Sequence, residues 1–331
     1  MNDQEKNLSR REFVARTAKA AAAIAAAGIV GACLYDKNGP SSEISDKSLV
    51  TIPDFSIPQK TGQIMSIVKG SDRVKTVDKA IDLLGGIERF ISAGDIVVIK
   101  PNVAFASVPA LGATANPDLI AEVVRLCYTR GQAKKVYVTD NPINNPASCF
   151  AISGIGKAAS AAGAALILPK DSFFKRTTLE GGKLISNWPI FYEPLSKANK
   201  LIGIAPVKSH SRAAASLTMK NWYGLLGGGR NIFHQKINNI IAELSMLIKP
   251  TLVILDGTQV MITNGPTGGS FSDLKRENTI IASCDPVAAD SFGCSLLGLK
   301  VSDVPYLDLA QSAGVGSTDY QSLKPVIAEL S

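Results

Sequence analysis

The sequence predicts an α/β fold, a largely parallel sheet covered by helices on both faces, and two observations predict it. From about Ser71 onward, short continuous apolar runs alternate with helical stretches. Uniformly apolar strands separated by helices are what a sheet buried on both faces requires. Several of the runs also close on Asn, Asp, Pro or Lys, and in such folds ligands bind just beyond the carboxyl ends of strands. A chain of 331 residues can bury one large core or two smaller ones. A change of lobe is expected near 173–194, where Gly181-Gly182 and Trp188-Pro189 interrupt the pattern.

The predicted buried strands are Ile96–Lys100, Val136–Asp140, Ala164–Leu168, Lys200–Ala205, Thr251–Asp256 and Thr279–Ala282. The predicted helices are Val77–Phe90, Pro117–Arg130, Ile152–Ala162, Lys236–Ile248, Pro286–Leu297 and Val304–Ala313. Asp285 before Pro286 reads as an N-cap with proline at the first helical position. The polar strand ends are Lys100-Pro101-Asn102, Asp140-Asn141-Pro142, Pro206–His210, Asp256-Gly257 and Cys284-Asp285-Pro286. Any one of them could be an ordinary turn; five together are more informative.

The first residues read as an address. Ser9-Arg10-Arg11-Glu12-Phe13-Val14 resembles a twin-arginine export motif, followed by an apolar stretch, Ala20–Leu34, too short and too weakly hydrophobic to span a bilayer comfortably. Val30-Gly31-Ala32-Cys33 has the small-small-Cys pattern of a lipobox, so residues 1–33 are expected to be a signal peptide with Cys33 as lipidation site. Residues 34–70 are then a tether and 71–331 the α/β domain. The expected location is periplasmic, or anchored to a membrane through the N-terminal lipid.

Hydrophobic content of 46% and charged content of 19% are those of a soluble globular protein. The net charge of +7 is dispersed and lacks the aromatic interleaving of a base-stacking surface, so nucleic-acid binding is excluded. Cys127, Cys149, Cys284 and Cys294 show no Cys-x-x-Cys spacing, hence no ferredoxin-type iron–sulfur motif; disulfides and free thiols both stay open.

The chain has two histidines, His210 and His234, and both lie in one glycine-rich segment. No Asp or Glu occurs between Pro194 and Ala242, while Lys197, Lys200, Lys208, Arg212, Lys220, Arg230 and Lys236 all do. Cations without acids are what an anion pocket needs, because each stays free to pair with a ligand. Gly227-Gly228-Gly229 could add backbone N–H groups, and the loop Asn264–Gly269 could form a second anion-contacting wall. A phosphate loop is excluded, since Gly224–Asn231 has Arg for Lys, Asn for Ser/Thr and no preceding strand. The histidines fit acid/base work or metal ligation, with Asp256 and Asp290 as further metal candidates.

In combination, Ile99-Lys100-Pro101-Asn102, Val207-Lys208-Ser209-His210, Thr218-Met219-Lys220-Asn221, Gly224 and His234 resemble the domain-of-unknown-function family 362 of bacteria and archaea. Leu255-Asp256-Gly257, Gly265-Pro266 and Asp285–Asp290 extend the resemblance, which covers about Ile96 to Gly298. The family lacks a settled activity. Some members carry a ferredoxin-like segment, which this chain lacks. A faint similarity to nickel-pincer lactate racemases leaves a metal-containing cofactor open.

The expectation is an exported, membrane-tethered protein with a basic cleft for a small carboxylate- or phosphate-bearing ligand. Lys208, Lys220 and Arg230 would hold the anion, His210 and His234 would serve as acid/base residues or ligands, and Lys100, Asn102 and Asn221 would complete the walls. The alternative is a non-catalytic redox-accessory or cofactor-carrying protein of a membrane-associated complex.

Overall fold

A computed structural model describes residues 49–57 and 63–330, which fall in one compact unit. The expected signal peptide, Cys33 and most of the expected tether lie outside the described residues. The strands are β1 (Met65–Lys69), β2 (Ile96–Pro101), β3 (Lys135–Thr139), β4 (Ala165–Ile167), β5 (Phe174–Thr177), β6 (Trp188–Phe191), β7 (Lys200–His210), β8 (Ala214–Ser216), β9 (Leu252–Met261), β10 (Leu274–Ser283) and β11 (Val326–Glu329). The helices are α1 (Arg73–Leu83), α2 (Pro117–Thr129), α3 (Pro146–Ile152), α4 (Ile155–Ala161), α5 (Glu193–Ser196), α6 (Thr218–Asn221), α7 (Ile237–Leu247), α8 (Pro286–Leu296) and α9 (Pro305–Ser312).

The main sheet runs β11-β1-β10-β9-β7-β2-β3-β4, with β8 paired to β7. The stretch from β9 to β4 is parallel throughout, and β10 and the short β8 run against their neighbours. Side chains alternate between faces, so each strand feeds two cores. On β9, Leu252 and Ile254 join a core with α1 to α4, while Val253 and Leu255 join one with α7 to α9. The helices carry their own stop and start signals. Asn116 caps α2 through Asp118 N, with Pro117 in the first turn, and Asp285 caps α8 through Ala288 N as expected.

Three expectations need correcting. The tether does not reach residue 70, because β1 pairs with β10 and β11, and Phe55 is buried and donates its N–H to Lys249 O. No separate lobe starts near 173–194: that segment is the β5-β6 hairpin, whose Ile190 and Phe191 enter the main core. The strands expected to stop at Ala205 and Asp256 continue. Pairing with β8 carries β7 to His210, and the antiparallel partner β10 carries β9 to Met261.

The chain leaves β2 through α2 to β3 on one side, while β7 lies against the other edge of β2. Between β2 and β7 the strand order therefore reverses, and the carboxyl ends of the two strands open a crevice.

Candidate functional site

The crevice holds a cavity of about 80 Å³ that Lys100, Asn102, Lys208, His210, Lys220, Asn221, Arg230 and His234 all line. Four elements supply them. Lys100 ends β2 with Asn102 just beyond it, Lys208 and His210 end β7, α6 carries Lys220 and Asn221, and the 3-10 segment Arg230–Lys236 carries Arg230 and His234. Asp140 follows β3, and Tyr223 and Phe105 join the lining.

Several of these side chains are already committed. Lys100 is fully buried, and its Nζ meets Asp140 Oδ1 at 2.7 Å, Asn221 Oδ1 at 2.8 Å and Pro101 O at 3.1 Å. Three acceptors use its three protons, so Lys100 lines the cavity with none left to donate to a ligand. Asn221 is likewise spent, since its Nδ2 donates to Lys100 O and Ile204 O. Asp140 accepts from Lys100, from Asn141 N and, through Oδ2, from Val103 N at 2.7 Å.

The other cations keep capacity. Lys208 Nζ donates to Asn102 Oδ1 at 3.0 Å and Ala113 O at 2.6 Å, and lies over the Phe105 ring. The Arg230 guanidinium donates to three carbonyls, Tyr223 O, Leu226 O and Pro142 O, lies over the Tyr223 ring, and has no carboxylate partner among the described residues. The Lys220 amino group has no hydrogen bond among the described residues and lies 5.5 Å from the Tyr223 ring centre. Burial and then the neighbouring Lys220 push Lys208 down to about 7. Burial and then Arg230 and Lys100 push Lys220 down to about 8. Burial also lowers Arg230.

Residues 97–295 match the family described as domain of unknown function DUF362. The chain belongs to that family. The match runs from β2 through α8 and so contains the whole cavity lining. This DUF362 member is 25% identical over 265 residues to a thylakoid-associated protein of Synechocystis sp., covering 76% of this chain and 75% of that one. Among solved structures, it is similar to a lactate racemase apoprotein from Thermoanaerobacterium thermosaccharolyticum, with TM-score 0.38 and 14% identity over 74% of this chain and 61% of that one. A Thermotoga maritima protein gives TM-score 0.40 and 11% identity over 70% of this chain and 60% of that one. The chain thus spans about three-fifths of the length of these two structures.

Within this DUF362 cavity, hydrogen bonding divides the two histidines. His210 Nδ1 accepts the backbone N–H groups of Arg212 at 3.1 Å and Ala213 at 3.2 Å. Its proton is therefore on Nε2, and burial with the nearby Lys220 pushes its pKa down to about 3. The reverse holds at His234. The Tyr223 hydroxyl donates to Arg230 O, so His234 Nδ1, at 3.2 Å from both Asn231 O and the Tyr223 oxygen, carries the proton. His234 Nε2 keeps its lone pair, and burial lowers this histidine too. His210 is a hydrogen-bond donor and His234 a proton acceptor, where acid/base roles were expected of both.

The expected metal set does not assemble. Asp256 sits in mid-strand on β9, where Oδ2 pairs with Arg73 Nε at 2.9 Å and Oδ1 accepts Thr258 N. Asp290, on α8, accepts Thr218 N, Thr218 Oγ1 and Met219 N. His210 Nε2 holds its proton. Only His234 offers a free nitrogen, and among the described residues no three His, Cys, Asp or Glu side chains cluster. These donors do not fit a metal centre. Gly227 and Gly228 line an adjoining hollow with Phe174 and Pro189, which shares Asn141 and Arg230 with the cavity, and none of Gly227, Gly228 and Gly229 lines the cavity itself. The loop Asn264–Gly269 contributes only Pro266. Cys127, Cys149, Cys284 and Cys294 are free thiols.

Asp140 and Tyr223 were not singled out from sequence as site residues. Asp140 did show as a residue closing a predicted strand; Tyr223 gave no such signal.

Proposed function

We propose that the cavity is a binding site for a small carboxylate- or phosphate-bearing anion. One observation carries the reading: Lys208, Lys220 and Arg230 share a cavity whose lining has a single carboxylate, Asp140, already committed to Lys100. Buried like charges without acids are costly, and a bound anion relieves that cost. The volume of about 80 Å³ suits a few non-hydrogen atoms rather than a nucleotide.

Calorimetric titration with inorganic phosphate and with oxalate tests this. Lys220→Ala and Arg230→Ala are each expected to weaken binding by about 1.5–3 kcal/mol, roughly ten- to a hundredfold. Binding should take up protons, because an anion favours the charged forms of Lys208 and Lys220. Titrations in buffers of different ionisation heat report that uptake. Affinity that is absent, or equal in both variants and the parent, removes the reading.

Export and membrane attachment through Cys33 belong to the same proposal. They rest on the pattern of the first residues and on the similarity to a thylakoid-associated protein of Synechocystis. Cys33→Ser should move the protein from the membrane to the soluble fraction of its host. Unchanged partitioning would mean that Cys33 is not the anchor.

A further inference from the structure

Lys220 differs from its neighbours in having no hydrogen-bond partner among the described residues for its amino group. The Lys100 amino group is fixed by Asp140 and Asn221, and that of Lys208 by Asn102 and the Ala113 carbonyl. Lys220 reaches the same cavity from α6, its amino group lying over the face of Tyr223. Its backbone is nonetheless held firmly, since buried Asp290 anchors Thr218 and Met219 at the start of that helix. A lone amine on a fixed support, in a cavity built for an anion, is placed for more than charge pairing.

We propose that Lys220 is a nucleophilic amine that condenses with the carbonyl carbon of a small anionic aldehyde or 2-oxo acid. This rests on the anion-site reading, because the ligand's carboxylate or phosphate is what Arg230 and Lys208 would hold. The groups facing Lys220 favour its free-base form. Arg230 approaches from the 3-10 segment and Lys100 from β2, while Lys208 on β7 gives up its own proton first, His210 and His234 stay neutral and Asp140 is taken by Lys100. Before an anion binds, a pKa of about 8 against an ordinary 10.5 gives Lys220 roughly three-hundredfold more free amine at neutral pH than an exposed lysine.

The step balances without oxidant or reductant. The amine lone pair forms a C–N bond as the carbonyl π pair moves to oxygen, which His210 Nε2–H can hydrogen-bond. His234 Nε2 takes a proton from the new ammonium and returns it to the oxygen. The carbonyl oxygen and both amine hydrogens leave as water, and the C=N bond remains.

The experiment is reductive trapping. The full chain is treated with glyoxylate and sodium cyanoborohydride near neutral pH, digested and mapped by mass spectrometry. The expected result is an adduct on Lys220 at a dose that leaves exposed lysines such as Lys75 unlabelled. Excess phosphate should suppress it, and Lys220→Arg should lose it. Mapping the parent protein identifies the site even if the variant folds poorly. No adduct above that on exposed lysines, or one on Lys208 instead, overturns the proposal. Phosphate calorimetry on the same sample separates the two readings: phosphate binding without trapping removes the imine alone, and neither removes both.

Discussion

Gly224 has no room for a side chain. A Cβ there would lie 2.1 Å from Asp140 Oδ1 and 2.8 Å from Lys100 Nζ, so the backbone closes directly on the buried ion pair. Gly224→Ala must push Asp140 and Lys100 apart, and breaking a buried pair costs about 3–5 kcal/mol. Asp140→Ala should cost a similar amount by leaving Lys100 buried without its carboxylate. Urea unfolding measures both, and a parental midpoint for either would mean that the pair contributes little. The residues of this site were legible in the sequence because cations without acids are a matter of composition. Their roles were not. Whether an amino group is free depends on partners far along the chain: Lys100 meets Asn221, and Lys208 meets Ala113. Sequence therefore grouped Lys208 with Lys220 as anion holders, although the first already has two hydrogen-bond acceptors and the second has none among the described residues.

At the scale of elements, the two cavity residues of α6 depend on a carboxylate from α8. A four-residue helix has little stability of its own, and Asp290 takes two of its backbone N–H groups and the Thr218 hydroxyl. Asp290→Ala would orphan these donors in a dry core, an expected loss of about 3 kcal/mol or more. It should also weaken phosphate binding, because α6 carries Lys220. Thr218→Val removes one donor and should cost about 1 kcal/mol. Chemical denaturation with calorimetry checks both losses; an Asp290→Ala protein of parental stability and affinity would leave α6 positioned by packing alone. This carboxylate was visible from sequence as a metal candidate, since a buried Asp on a helix looks alike whether it binds a cation or N–H groups. The central strands were legible from their unbroken apolar runs. β1, β8 and β11 were not, being short and defined by the strands they pair with rather than by their own pattern. The overruns of β7 and β9 have the same cause, and the overrun of β7 brings Lys208 and His210 into the site.

For the whole molecule, the excess of buried cations predicts an unusual pH profile. A lysine whose pKa is lower in the folded than in the unfolded chain is bound less tightly to its proton in the native state, so stability rises with pH between the two values. Lys208 at about 7 and Lys220 at about 8, against 10.5 unfolded, set that window from pH 7 upward. Asp78 and Asp290, raised to about 7, lose their contribution below the window as pH climbs from 3.8. The buried thiols oppose from above: Cys127 and Cys294 near 12 and Cys284 near 11 keep their protons when the unfolded chain loses them past 9. In an uncharged-buffer series without phosphate, the melting temperature should therefore rise by roughly 5 °C from pH 7 to 9. Replacing Lys208 and Lys220 together by Met should flatten the rise. Saturating phosphate should flatten it too, because an anion among the lysines restores their protons and with them the ordinary dependence on pH. A melting temperature that falls steadily from pH 7 to 9 would mean that the two amines are solvated, and the charge surplus that defines the cavity would be relieved by water rather than by a ligand.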